Sequence, residues 1–311
     1  MKIFATIQNA FPRINNSPFR EPMSWTAYEG EVWSVAGKNG SGKTLFSEVI
    51  CGKYNLLQGE IHYPFFDKIK QGSKSGEFPY LRQYIKTVSF NSVYSIADFR
   101  EMYYQQRFNS TESDHSPFVD DFFSPEEVEK IDRFSKMLHF DKLRDRRLIQ
   151  LSSGELRKLL IAKVLVSHPK MIIFDNPFIG LDEFSRKQLD DFFHQLKQEN
   201  IQLLFLTPST DDLPSATTHL LQMEKGTIIS AQKIEDFRKQ ENEKNPADEK
   251  FFFDWGKLND NTATDFETAV KMTDVSIVYG KRVIASNINW EIKKGEKWAL
   301  LGPNGSGNLR F

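Results

Sequence analysis

One short run in this chain, Met171-Ile172-Ile173-Phe174, is continuously apolar instead of alternating, and Ile201 to Leu206, apolar except at Gln202, reads as another buried strand. Such runs are what a parallel strand covered on both faces requires. Glu31 to Val35 predicts a third strand, running directly into a glycine-rich loop. Between them the pattern changes to helical spacing. Leu156 to Ser167 repeats at Leu159, Leu160, Lys163 and Val164, and Thr44 to Cys51 and Glu183 to Glu199 also predict helices. Asp120 to His139 is expected to be helical, with Ser124-Pro125-Glu126-Glu127 as its start signal. Strands alternating with helices imply an α/β fold on a parallel sheet. Gly72 to Gly76 and Ser110 to Ser116 read as polar loops.

The chain also repeats itself. Trp25 is followed by Gly30-Glu31-Val32-Trp33 and the loop at Gly37; Trp290 is followed by Gly295-Glu296-Lys297-Trp298 and a loop at Gly302. Trp25/Trp290, Trp33/Trp298 and Gly37/Gly302 all differ by 265. A repeat of this kind predicts two copies of one structural unit. The expected organisation is a domain over residues 1–230, a charged linker over 231–265 that starts helical, and the N-terminal fragment of a second domain over 266–311.

Gly37-Lys38-Asn39-Gly40-Ser41-Gly42-Lys43-Thr44 fits G-x-x-x-x-G-K-[ST] between a predicted strand and a predicted helix. Glycines let amides curl around a phosphate, and the following helix turns its positive end to the anion. Lys43 supplies a point charge for the terminal phosphates, and the Thr44 hydroxyl stands where Mg²⁺ is held. Asp175, ending an apolar strand, is the expected second Mg²⁺ group. The cofactors implied are ATP and Mg²⁺.

Composition narrows the partners. Of 311 residues, 39% are hydrophobic and 27% charged, so a packed core is feasible. A net charge of −1 gives no global field for a polyanion and argues weakly against nucleic acid. One cysteine, Cys51, excludes an internal disulfide and fits a reducing cytoplasm. No apolar run approaches the roughly 20 residues of a spanning helix, and the N-terminus lacks a signal-peptide core. A cytoplasmic location is expected, with docking on a membrane subunit left open.

Leu151-Ser152-Ser153-Gly154-Glu155 resembles the Leu-Ser-Gly-Gly-Gln signature of ATP-binding cassette (ABC) ATPases, and Gly180-Leu181-Asp182 resembles their D-loop. The wider pattern is most similar to tandem cassettes of the photorepair-protein and molybdate-transport branch. The resemblance implies a mixed, mainly parallel sheet core, an antiparallel β part and a helical signature subdomain. It also implies a nucleotide shared between two cassettes, in one chain or in a homodimer. Ser152, Ser153, Gly154, Glu155 and Asp182 would then face the partner's nucleotide. Phe11 is the candidate for stacking on adenine, with Tyr279 its equivalent in the second copy; Phe11 as a core residue is the alternative. Asn91 aligns with the Q-loop glutamine and would approach Mg²⁺.

The chain departs from the family where catalysis is concerned. Asn176 stands where a glutamate polarises the attacking water, and an amide cannot accept its proton. Pro208 stands at the switch histidine and has no side-chain donor. Ser153 and Glu155 replace glycine and glutamine, and Glu155 adds negative charge. Slow hydrolysis is expected; an ATP-gated binding module and a transporter-energising subunit are the alternatives. The second loop has Asn308-Leu309-Arg310-Phe311 where Lys-Ser/Thr belongs. Loss of one A from AAA TCT ACG CTT turns Lys-Ser-Thr-Leu into Asn-Leu-Arg-Phe, so a frameshift or miscalled base in a longer tandem protein is the expectation, a divergent natural tail the alternative.

Overall fold

A computed structural model describes residues 1–15, 17–74, 76, 78–90, 117–132, 134, 142–148, 151–243, 266–279 and 282–298. They form two compact units, the first comprising Met1–Leu181 and Ser185–Glu243. Asn91, the loop Ser110–Ser116, the whole stretch from Lys244 to Asp265, and Gly302–Phe311 lie outside the described residues.

The first unit is built on a six-stranded sheet. In chain order its strands are β3 (Val32–Ala36), β5 (Ile85–Ser89), β6 (Met171–Asp175), β7 (Gln202–Thr207), β8 (His219–Glu224) and β9 (Thr227–Lys233). Their spatial order is β5-β6-β7-β3-β8-β9, parallel throughout except for β9. The uninterrupted apolar runs find their explanation here. Ile172 and Phe174 of β6, with Leu203 and Phe205 of β7, enter one core; Met171, Ile173, Leu204 and Leu206 enter another on the opposite face. Side chains alternate across a strand, so a sheet covered on both faces needs apolar residues at every position.

A second sheet, antiparallel, covers one face. It comprises β1 (Ile3–Pro12), β2 (Met23–Tyr28) and β4 (Leu56–His62) in the order β2-β1-β4. Trp25 of β2 packs edge-on against Trp33 at 5.6 Å and Phe46 at 5.7 Å. Seven helices complete the described fold: α1 (Lys43–Ile50), α2 (Pro64–Gly72), α3 (Leu81–Tyr84), α4 (Pro125–Asp132), α5 (Ser153–Leu165), α6 (Glu183–Gln198) and α7 (Ile234–Glu243).

Two expectations are corrected. Asp120–His139 is not one helix: a 3₁₀ turn covers Asp120–Phe122, and α4 begins only at Pro125. Ser124 and Glu127 close a reciprocal cap, each backbone N–H donating to the other's side chain at 2.9 and 3.3 Å, so helix starts there and not earlier. The charged segment from Lys233 does open as a helix, but Ile234 and Phe237 of α7 are buried with Ala36 and Leu220. Two apolar residues at i and i+3 dock this helix onto the sheet, and the first unit therefore reaches Glu243, past residue 230.

The described part of the second unit is a hairpin of β10 (Thr268–Tyr279) and β11 (Arg282–Lys293). It reproduces β1–β2 at the offset of 265. Ile3 pairs with Tyr28 and Ile7 with Trp25; Thr268 pairs with Lys293 and Met272 with Trp290. Positive φ recurs at Asn9 (47°) and Asp274 (48°), and at Gly30 (86°) and Gly295 (82°). Glu31 accepts from Tyr28 N and the Trp33 indole, both at 2.9 Å. Glu296 accepts from Lys293 N at 2.9 Å and the Trp298 indole at 3.1 Å.

Candidate nucleotide site

The site gathers at the C-terminal ends of β3, β7 and β6. The loop leaving β3 is held from beneath: Gly37 N donates to Thr207 O at 3.3 Å, Ser41 N to Lys38 O at 3.1 Å, and Gly226 N to Ser41 O at 3.0 Å. A Cβ on Gly37 would lie 2.3 Å from the Met223 carbonyl oxygen, so no side chain fits there. Gly42 takes φ 101° at the start of α1 and provides no side-chain cap. The first-turn amides of α1 are therefore left to an external acceptor, with the helix dipole behind them. Asn39, Gly40 and Thr44 are exposed on this loop, and a Cβ on Gly40 would meet nothing within 4 Å.

Lys43 is buried. Its ammonium donates to Gly37 O at 2.5 Å, Lys38 O at 3.1 Å and Ser41 Oγ at 3.5 Å. Burial pulls its pKa below the ordinary lysine value, and Asp175 opposes that pull. The reciprocal holds for Asp175: burial pushes its carboxyl up, and the Lys43 charge pulls it back. The two groups thus sense each other across the end of β7, which lies between β6 and the strand β3 that leads into the loop.

Asn176 follows in the left-handed region at φ 51°, a conformation that asparagine tolerates better than most residues. Its N–H donates to Leu206 O at 3.0 Å. Its Oδ1 is buried with no hydrogen-bond partner among the described residues, as is Thr207 Oγ1. Two orphaned oxygens at adjoining strand ends suit a polar ligand. Pro208 is exposed and leads into a 3₁₀ turn, Thr210–Asp212, capped by Ser209. Asn91 lies outside the described residues.

The signature segment starts α5. Ser152 and Glu155 form a capping box, Ser152 N to Glu155 Oε2 at 2.8 Å and Glu155 N to Ser152 Oγ at 3.2 Å. Arg146 donates to Glu155 Oε1 at 3.1 Å, so the added negative charge is paired. Gly154 is buried, and a Cβ there would meet Ser185 Cβ at 3.5 Å. Asp182 is half-buried just before α6. A glycine-rich loop between strand and helix, a capped helix start at Ser152 and a strand-end carboxylate at Asp175 thus follow one another along the chain.

The ABC transporter family model matches residues 21–179, just over half of the 311 residues. The chain belongs to the ABC transporter ATPase family. An uncharacterized ABC transporter ATP-binding protein of Schizosaccharomyces pombe is 26% identical over 93% of the chain and 58% of its own length. The ABC transporter ATP-binding protein ModF of Escherichia coli is 25% identical over 99% of the chain and 61% of its own length. The chain thus spans about three fifths of these relatives. Among solved structures, cbiO1 from Clostridium perfringens, part of an ABC transporter complex, superposes with a TM-score of 0.59 at 20% identity, covering 78% of this chain and 93% of that one. That likeness bears on the fold, which is the ABC ATPase fold.

Within this cassette sequence reasoning singled out Phe11 but missed Phe19, Gly226 and Arg157. Phe11 lies half-buried on β1 opposite Gln58, packed against the core that includes Trp25. Phe19, not singled out, is buried beside the loop, with its Cε1 3.6 Å from a Cβ placed on Gly42. Gly226 supports the loop from the β8–β9 turn, and a Cβ on it would strike Pro18 O. Arg157 is a buried arginine on α5. Of these, only the Gly226 turn leaves a local trace, in Lys225-Gly226 between two strands. No helix among the described residues is long and apolar enough to cross a membrane.

Proposed function

We propose that this cassette binds Mg-ATP at Gly37–Thr44 and hydrolyses it slowly, with nucleotide binding driving association of two cassettes. The observation that carries the reading is the uncapped start of α1 with Lys43 and Asp175 facing across β7. Thr44 and Asp175 would hold Mg²⁺, which commonly binds through one or two protein groups together with phosphates. Bound there, the ion neutralises charge on the phosphates. Lys43 would leave its loop carbonyls for phosphate oxygens, and the α1 amides would take the rest. Asn176 can orient a water with its amide but cannot take its proton. Pro208 adds no donor.

The test is calorimetry with Mg-ATP alongside phosphate release. Micromolar binding that Lys43→Ala abolishes, with release far below one per second, supports the reading. Turnover of several per second would refute slow hydrolysis, and absence of binding would refute the whole. Asn176→Glu restores a proton acceptor and is expected to raise release about tenfold or more, at a stability cost of about 1 kcal/mol for its positive φ.

A second reading, an ATP-gated switch without turnover, is favoured by the joint presence of Asn176 and Pro208; binding with no release identifies it. The output is open to transport: the energy-coupling factor transporter ATP-binding protein EcfA2 of Streptococcus pneumoniae is 27% identical over 69% of the chain. Cytoplasmic location at the inner membrane face accords with that output. The repeat at offset 265 supports reading residues 266–311 as the start of a second cassette, which would complete the nucleotide sandwich.

A further inference from the structure

The arginine on the signature helix is the buried charge that the reading above does not use. Arg157 is only 4% exposed. Its guanidinium grips one loop at two points, Nη1 donating to Pro177 O and Nη2 to Ile179 O. It also lies over the Phe90 ring at 5.0 Å, and Phe90 N reaches Asp175 O at 3.5 Å. The gripped loop begins at Asn176, immediately after Asp175. Between the two carbonyls, Phe178 packs against Phe193 at 6.0 Å and lies under Arg186 at 4.5 Å. Arg186 in turn donates to Asp212 at 3.0 Å and to Asp211 O at 3.3 Å, in the turn that follows Pro208. Two helices thus hold one loop, α5 through Arg157 and α6 through Phe193 and Arg186, and the segment after β7 in turn holds Arg186.

We infer that Arg157 is a positioning residue that ties the Asp175–Ile179 loop to the signature helix and thereby sets where Asp175 and Asn176 stand for a magnesium-bound nucleotide. The inference rests on the Mg-ATP reading for its ligand but on the side-chain contacts for its geometry. A guanidinium fork reaches two carbonyls at once, which an ammonium, as a point charge, does not reproduce. Burying it is costly unless its donors are used, so the loop and the helix move as one body. The positive φ of Asn176 is a conformation that such bracing can maintain.

The experiment uses the full chain with Arg157→Gln and Arg157→Lys. Amide exchange is read at Ile179 and Leu181, which donate to Asn176 O and Phe178 O at 3.3 and 3.2 Å. ATP affinity is read by calorimetry in EDTA and again with Mg²⁺. In Arg157→Gln these two amides should exchange about tenfold faster while those of β6 do not change. ATP affinity in EDTA should stay within about twofold, and the gain from Mg²⁺ should fall about fivefold or more. Arg157→Lys should fall between, and it carries the same readouts if the glutamine variant does not fold. Unchanged exchange, or faster exchange with the full Mg²⁺ gain, overturns the inference. If the wild-type chain binds no ATP, the functional reading fails separately, and exchange alone decides whether the brace exists.

Discussion

The two strand pairs, β1–β2 and β10–β11, share register and the Gly-Glu turn that follows the second strand, yet differ in what covers them. Ala5, Ile7, Trp25 and Ala27 are buried at 0%, 1%, 4% and 0% exposure, whereas Val270 is 38% exposed and Met272, Trp290 and Ile292 are only half-buried. The Trp25–Trp33 and Trp290–Trp298 pairs nonetheless stand at the same 5.6 Å. Backbone geometry here is written locally, in a Gly-Glu turn and a positive-φ polar residue. Burial is not local: it depends on β4, α1 and the central sheet arriving from elsewhere in the chain.

The largest test of that contrast is tryptophan removal. Trp25→Ala should cost about 3–5 kcal/mol in chemical unfolding of the first unit. Trp290→Ala should leave that transition where it is, and an equal loss from both would break the comparison. Next come the turn carboxylates. Glu31→Ala strands a buried indole N–H and an amide, and Glu31 also meets His219 at 3.3 Å, so a loss of about 2–3 kcal/mol is expected. Glu296→Ala should not move the melting temperature of the first unit. The smallest effect is one of pH. The Lys293 amide and then the Trp298 indole hold the Glu296 carboxyl below the ordinary glutamate value of 4.5. A lowered folded pKa means the cap is present above 4.5 and is lost as pH falls through the folded value. The Trp298 indole resonance should therefore titrate with a midpoint below 4.5; a midpoint at or above it would remove the cap from the account.

What was legible in the sequence divides along the same line. Met171–Asp175 and Gln202–Thr207 were readable to within a residue because full coverage forces unbroken apolar runs. The place of the Gly37–Thr44 loop between a strand and a helix, and of Asp175 at a strand end, was readable because the spacing is fixed by a strand, a turn and a helix start. The start of α4 was legible in Ser124-Pro125-Glu126-Glu127; what was not legible is that Asp120-Asp121-Phe122 before it close a separate 3₁₀ turn. Phe19, Gly226 and Arg157 reach the site through contacts that no periodicity records. Arg157 sits 20 and 22 positions from the carbonyls it holds, on a different element.

The placing of β7 between β3 and β6 has a consequence for distance. Neighbouring strands lie about 4.8 Å apart, so the loop after Ala36 and the carboxylate of Asp175 are set roughly two strand widths apart. A strand serves here as a ruler whose length does not depend on its own side chains. Leu203 to Leu206 can vary among apolar residues without changing that gauge, whereas a proline that unpaired β7 would abolish it.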